Sequence, residues 1–327
     1  MTPRGDGADD LLIGVDIGST TIKAVVVRSE DDEVLWRDYR RHGTRLGQEA
    51  LDFLSRIETD TGASPGNARI FFTGSGGRDL AEVVGGRFVQ EVNAVSLFVD
   101  RVHPEVRSVI ELGGQDSKII VFRERPGGNG RKKIAMMNDR CAGGTGAVLD
   151  KIRSKLDIPA HELGGFRYRG LSIHRVAAKC GVFAETDVNS LQKQGVPVEE
   201  LIASLFEAIV VQNLTVLTRG HTLHPNVLLL GGPNRFSQGL QEAWQEHLPR
   251  LWAERGIDVP KNLPLEILIR APEDGHYFGA LGAAEFGRGQ KVEVGRYTGI
   301  EDLRELLRNG RRRGAGHPSF SGLSASE

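Results

Sequence analysis

Two residue types in this chain offer chemistry beyond packing: a pair of cysteines and a set of glycine turns that end apolar runs. The cysteines are Cys141, within Asn138-Asp139-Arg140-Cys141-Ala142-Gly143-Gly144-Thr145-Gly146, and Cys180, within Lys179-Cys180-Gly181-Val182-Phe183-Ala184-Glu185-Thr186. Each stands at a glycine-rich helix start, where the partial positive charge of the helix terminus favours thiolate. Their plain reading is that of buried small apolar groups, which leaves the shared glycine-rich setting without a reason. As a ligand set they are half of one. A cubane iron–sulfur cluster takes four thiolates, so two per chain would serve one only across a twofold dimer.

The glycine turns are Asp16-Ile17-Gly18-Ser19-Thr20-Thr21, Gly113-Gly114-Gln115-Asp116-Ser117-Lys118 and Gly231-Gly232-Pro233-Asn234. Glycine lets backbone N–H groups approach a phosphate with no Cβ in the way. A carboxylate at a strand end can hold Mg²⁺, usually through water. One such turn alone reads as a turn. Three in order, two of them inside strand-turn-strand units, read as a nucleotide site. Neither a GxxxxGK[ST] loop nor a strand-helix dinucleotide fingerprint is present, so other nucleotide folds are set aside.

These turns need strands to carry them. Leu11–Gly18 and Ile22–Val27 are β-branched runs joined by a short turn, which predicts a hairpin. A third strand is expected over 33–41 and an amphipathic helix over 47–61. Residues 69–78 read as a strand entering a glycine turn before a helix. The pattern restarts at 108–122, about 95 residues later, as an internal repeat of a whole lobe. Helices are expected at about 144–156, 182–194 and 198–223. A buried strand follows at 226–230, an Ala/Gly-rich helix at 277–287, and one more helix at 299–309. The expected division is a disordered lead over 1–10, a first lobe over 11–107, a second over 108–288, and a largely solvated extension over 289–327.

The totals exclude several classes. Lys and Arg number 42 against 43 Asp and Glu, which gives no support for a nucleic-acid partner. The polar, acidic start lacks a signal-peptide core, and no run of about 18 apolar residues is evident, so no membrane association is expected. Two cysteines make no disulfide framework, which suits a reducing cytoplasm. The 42 glycines exceed the usual share of about 7% but cluster in turns.

The order of the three turns resembles the actin, hexokinase and acetate kinase superfamily, an α/β class in which two ribonuclease-H-like lobes clamp ATP. More closely, Gly14-Val15-Asp16-Ile17-Gly18-Ser19-Thr20-Thr21, Glu111-Leu112-Gly113-Gly114-Gln115-Asp116-Ser117-Lys118 and the two cysteine motifs resemble the BadF/BadG/BcrA/BcrD ATPase family over about residues 11–288. That family includes activators of 2-hydroxyacyl-CoA dehydratases and ATPase subunits of benzoyl-CoA reductases.

The resemblance implies ATP with Mg²⁺, and one 4Fe–4S cluster per homodimer held by Cys141 and Cys180. It implies Asp16, Gln115 and Asp116 as catalytic groups. Nucleotide contacts would come from Gly18, Ser19, Thr20, Thr21, Lys23, Gly113, Gly114, Gly231, Gly232 and Asn234. Hydrolysis would drive a low-potential electron onto a partner reductase or dehydratase, with ferredoxin or flavodoxin as donor. The chain departs from the family at Ala142-Gly143, where Ala-Ala is usual, at Pro233-Asn234-Arg235-Phe236, and in the longer stretch 241–260 with Trp244 and Trp252. These features resemble the activator-like domain of large fusion proteins. Two other readings of the turns are a small-molecule kinase of the same fold and a non-catalytic nucleotide-sensing scaffold.

Overall fold

The computed structural model describes residues 11–43, 45–127, 130–138, 143–177, 181–218 and 220–313. The expected lead at 1–10, the segment 314–327 and both cysteines lie outside the described residues. The chain divides into two compact units, residues 1–102 with 277–327, and residues 103–276.

Unit one is built on a five-stranded sheet. Its strands are β1 (Leu11–Ile17), β2 (Thr21–Arg28), β3 (Val34–Arg41), β4 (Ala68–Thr73) and β5 (Arg87–Phe88), in the order β3-β2-β1-β4-β5. The hairpin β1–β2 and the pair β2–β3 are antiparallel, whereas β4 joins β1 in parallel. Every residue of β1 is buried, as a central strand covered on both faces requires. Helix α1 (Leu46–Thr61) buries Leu46, Ala50, Phe53, Leu54 and Ile57, one stripe at helical spacing. Helices α2 (Gly77–Val83) and α3 (Glu91–Val102) follow β4 and β5.

Unit two repeats the plan. Its strands are β6 (Ser108–Leu112), β7 (Ser117–Glu124), β8 (Arg131–Asn138), β9 (Val227–Leu230) and β10 (Ile269–Arg270). Read from the other edge, their order is β8-β7-β6-β9-β10, with the same two antiparallel and two parallel pairings. Both units therefore have the ribonuclease-H-like topology, and the fold is the expected α/β pair of lobes. Between β8 and β9 lie α4 (Gly146–Lys155), α5 (Gly181–Lys193) and α6 (Val198–Gln212). Then come α7 (Gly232–Phe236), α8 (Gln238–Glu254) and the short α9 (Leu265–Leu268). The added stretch 241–260 falls mostly on α8, whose Trp244 and Trp252 are fully buried. Their indole N–H groups donate to Asn234 Oδ1 and the Leu223 carbonyl.

Two expectations are corrected and one is qualified. First, α10 (Phe278–Arg288) and everything after it belong to unit one. Close packing of bare backbone is the reason: a Cβ on Gly14 of β1 would overlap the Ala280 carbonyl, and one on Gly282 would overlap Ala94 of α3. Second, the extension over 289–327, mostly exposed where its burial is described, is nonetheless anchored to unit one. Tyr297, Ile300 and Leu303 are core residues, the Gly295 carbonyl accepts from Ile70 N–H at 2.7 Å, and the Tyr297 hydroxyl donates to Glu58 Oε1 at 2.8 Å. Its last helix is α11 (Glu301–Arg313). Third, the long helix expected over 198–223 gives way after Gln212 to a π-helical turn, Asn213–Leu217. Together, Val198–Leu217 are long and apolar enough by composition to cross a membrane, yet 67% of their most apolar 18-residue window is buried.

Candidate nucleotide turns and cysteine flanks

In unit one, Asp16 lies at the end of β1, opposite Lys23 across the hairpin. It is 1% exposed. Its Oδ2 accepts a hydrogen bond from Lys23 Nζ at 2.7 Å, while Oδ1 has no partner among the described residues. Glycines wall the carboxylate in. A Cβ on Gly279 would stand 2.6 Å from Oδ2, and one on Gly74, where φ is +82°, 2.6 Å from Oδ1. A buried carboxylate oxygen without a donor is costly. Water held by a divalent cation would satisfy it, so the residues present fit Mg²⁺. Thr73, in register with Asp16 on β4, also has a buried hydroxyl with no partner among the described residues. In the turn itself Ser19 is exposed, Gly18, Thr20 and Lys23 are half-buried, and Thr21 is buried.

Unit two repeats this pair 95 positions on. Glu111 faces Lys118 across β6–β7, as Asp16 faces Lys23. Here the buried lysine reaches further: Nζ lies 2.6 Å from Asp116 Oδ2 and 4.0 Å from Glu111 Oε2. Asp116 is thus fixed by a buried cation, and Gln115 beside it is exposed. The Gly113 amide donates to the Asp116 carbonyl at 2.9 Å. Glu111 and Lys118 are not among the candidates read from the motifs, although the repeat spacing marks both.

The second turn is joined directly to α4. Gly146 N–H donates to the Gly113 carbonyl at 3.0 Å, and Ala147 N–H to that of Gly114 at 2.7 Å. Gly231 adopts φ +85° against the Leu112 carbonyl, where a Cβ has no room, and Gly232 opens α7. Asn234 departs from its expected role. It is fully buried, its Nδ2 donates to the Ile110 and Leu230 carbonyls, and its Oδ1 accepts from Trp244. Its amide pins the turn to β6 and α8.

The cysteines lie outside the described residues, but their flanks converge. Gly143 and Gly144, ahead of α4, and Gly181, opening α5, line one small apolar hollow with Val148, Ala184 and Ile209. The Gly144 carbonyl accepts from the buried Asn213 Nδ2 at 2.9 Å. Glu185 of α5 accepts from Lys151 and Lys155 of α4 at 2.6 and 2.7 Å, and these hydrogen bonds pull its carboxyl down to about 2. Asp187 Oδ2 accepts from Ala177 N–H at 2.7 Å. At the head of α5, Val182 and Phe183 are 61% and 64% exposed, an apolar pair open to solvent. Among the described residues no three His, Cys, Asp or Glu side chains gather as a metal site.

Each half of the fold thus carries a carboxylate and a glycine turn on a ribonuclease-H-like sheet. The chain belongs to the BadF/BadG/BcrA/BcrD ATPase family, whose sequence model matches residues 13–287. It is 27% identical over 273 residues to the 2-hydroxyisocaproyl-CoA dehydratase activator of Clostridioides difficile, covering 83% of this chain and 92% of that protein. It is 26% identical over 272 residues to the (R)-2-hydroxyglutaryl-CoA dehydratase activating ATPase of Acidaminococcus fermentans, covering 83% and 95%. The crystal structure of component A of the A. fermentans (R)-2-hydroxyglutaryl-CoA dehydratase shares the fold, with a TM-score of 0.69 at 24% identity over 84% of this chain and 96% of that one.

Proposed function

We propose that this ATPase-family chain is an ATP-dependent activase. In this reading, two copies hold one 4Fe–4S cluster through Cys141 and Cys180, and hydrolysis drives a low-potential electron onto a partner reductase or 2-hydroxyacyl-CoA dehydratase. The cluster supplies one-electron chemistry when bound. Ferredoxin or flavodoxin is the proposed donor and the cytoplasm the proposed compartment.

The observation that carries the reading is the bond pair from α4 to the second turn. Gly146 and Ala147, five and six residues after Cys141, donate to the carbonyls of Gly113 and Gly114. A change at that turn acts on the start of α4 with no intervening element. The convergence of Gly143, Gly144 and Gly181 supports a shared role for the two cysteine motifs.

The chain's own groups then divide the work. Asp16 Oδ1 would hold Mg²⁺ through water, with Lys23 balancing the carboxylate charge. Gly18–Thr21 in unit one, and Gly113–Gly114 and Gly231–Gly232 in unit two, would offer backbone to nucleotide. Asp116, held by Lys118, and the exposed Gln115 orient the attacking water.

Anaerobic purification with iron and sulfide assay tests the reading. About four irons per dimer are expected. Iron-free protein would point instead to a small-molecule kinase or a nucleotide-sensing scaffold.

A further inference from the structure

The hydrogen bonds of the Gly18–Thr21 turn single out a residue that no motif contains. His42 follows β3 and precedes α1, yet it is only 7% exposed. Its Nε2 lies 3.1 Å from the Gly18 carbonyl oxygen, and its backbone N–H donates to the Thr20 carbonyl at 3.2 Å. A carbonyl only accepts, so Nε2 is the donor. Nδ1 is buried and has no partner among the described residues.

The neighbouring carbonyls are also engaged. Ile17 accepts from Gly76 N–H at 2.9 Å and Thr21 from Gly18 N–H at 2.9 Å. Four carbonyls of this segment are therefore bonded within unit one, and His42 holds two of them. The amides of Ser19 and Thr20 donate to no group among the described residues. A turn whose carbonyls are withdrawn and whose amides remain available is prepared for an anion.

We infer that His42 is a positioning residue of this turn: it holds the Gly18 and Thr20 carbonyls away from an incoming phosphate and leaves the Ser19 and Thr20 amides to meet it. This rests on the nucleotide reading of the turn. Two features separate it from simple core filling. An apolar residue would fill the same space more cheaply than a buried imidazole with one unpartnered nitrogen. The histidine also bonds the turn with both backbone and side chain.

The test compares wild type, His42→Leu and His42→Gln in calorimetric titrations with Mg-ATP and Mg-ADP, alongside steady-state hydrolysis. Leucine fills the space without a donor and leaves the Gly18 carbonyl unpaired. It is expected to weaken both nucleotides about tenfold, raising KM for ATP while kcat changes less than about threefold. Glutamine can return an N–H donor and is expected to stay within about twofold of wild type. Should His42→Leu fail to fold, His42→Asn, which lacks the reach, takes its place with the same expectation. Wild-type affinity in the leucine and asparagine variants would overturn the role, as would equal losses in the glutamine and leucine variants with matching drops in melting temperature. Wild type that binds neither nucleotide would overturn the nucleotide reading itself, and the role with it.

Discussion

Asp16→Asn is expected to lower ATP hydrolysis by roughly a thousandfold while nucleotide affinity changes by less than about tenfold. The substitution keeps shape and volume, so the glycine walls at Gly74 and Gly279 stay filled. It removes the charge that sets Asp16 apart. The wild-type carboxylate is buried, spends one oxygen on Lys23 and leaves the other without a partner. That second oxygen is what a metal-bound water would find. Binding draws on the backbone of several turns and survives; the metal's contribution to the transition state does not. Lys23 loses its counter-ion, so a thermal melt belongs beside the kinetics. A folded Asp16→Asn chain that hydrolyses ATP at the wild-type rate would remove Asp16 from the mechanism.

Cys141→Ser or Cys180→Ser, each alone, is expected to take iron from about four per dimer to essentially none. In the proposed dimer the loss doubles, since one substitution removes two of the four thiolates. Serine matches cysteine in size but is a poor ligand for a cluster that binds through thiolate. The flanking fold has its own supports. Asn213 holds Gly144, Glu185 binds Lys151 and Lys155, and Asp187 holds Ala177. Both variants are therefore expected to stay folded, with nucleotide binding intact. An iron-replete Cys141→Ser dimer would contradict the ligand assignment.

Much of the fold was legible because it is local. The hairpins β1–β2 and β6–β7 are β-branched runs joined by short turns, and the 95-residue spacing between them appears in the structure as one strand order used twice. What escaped depends on contacts distant in sequence. Nothing around 277–288 says that α10 returns to unit one; the reason sits in Gly14, whose missing side chain admits the Ala280 backbone. The segment 289–313 is rich in charge, so its three anchors, Tyr297, Ile300 and Leu303, were outweighed in a local reading.

The candidate site was legible in part for the same reason. Asp16 and Lys23 are neighbours across a hairpin, and Glu111 with Lys118 could have been found by carrying that spacing forward. Asn234 looks like a polar group offered by a glycine turn. Its partner Trp244 lies ten residues on and becomes visible only when α8 packs. His42 belongs to no motif. Its role follows from the carbonyl of Gly18, 24 residues earlier.

In the proposed activase, nucleotide state reaches the cluster through a short link: Gly113 and Gly114 to Gly146 and Ala147, then Gly144 to Asn213. The direct measurement is the rate at which an iron chelator strips anaerobically purified protein, compared with ATP and with ADP bound. Different rates are expected for the two nucleotides in wild type. Identical chelation rates, with identical reduction potentials, would describe a rigid dimer whose cluster is only a staple and would contradict the activase mechanism.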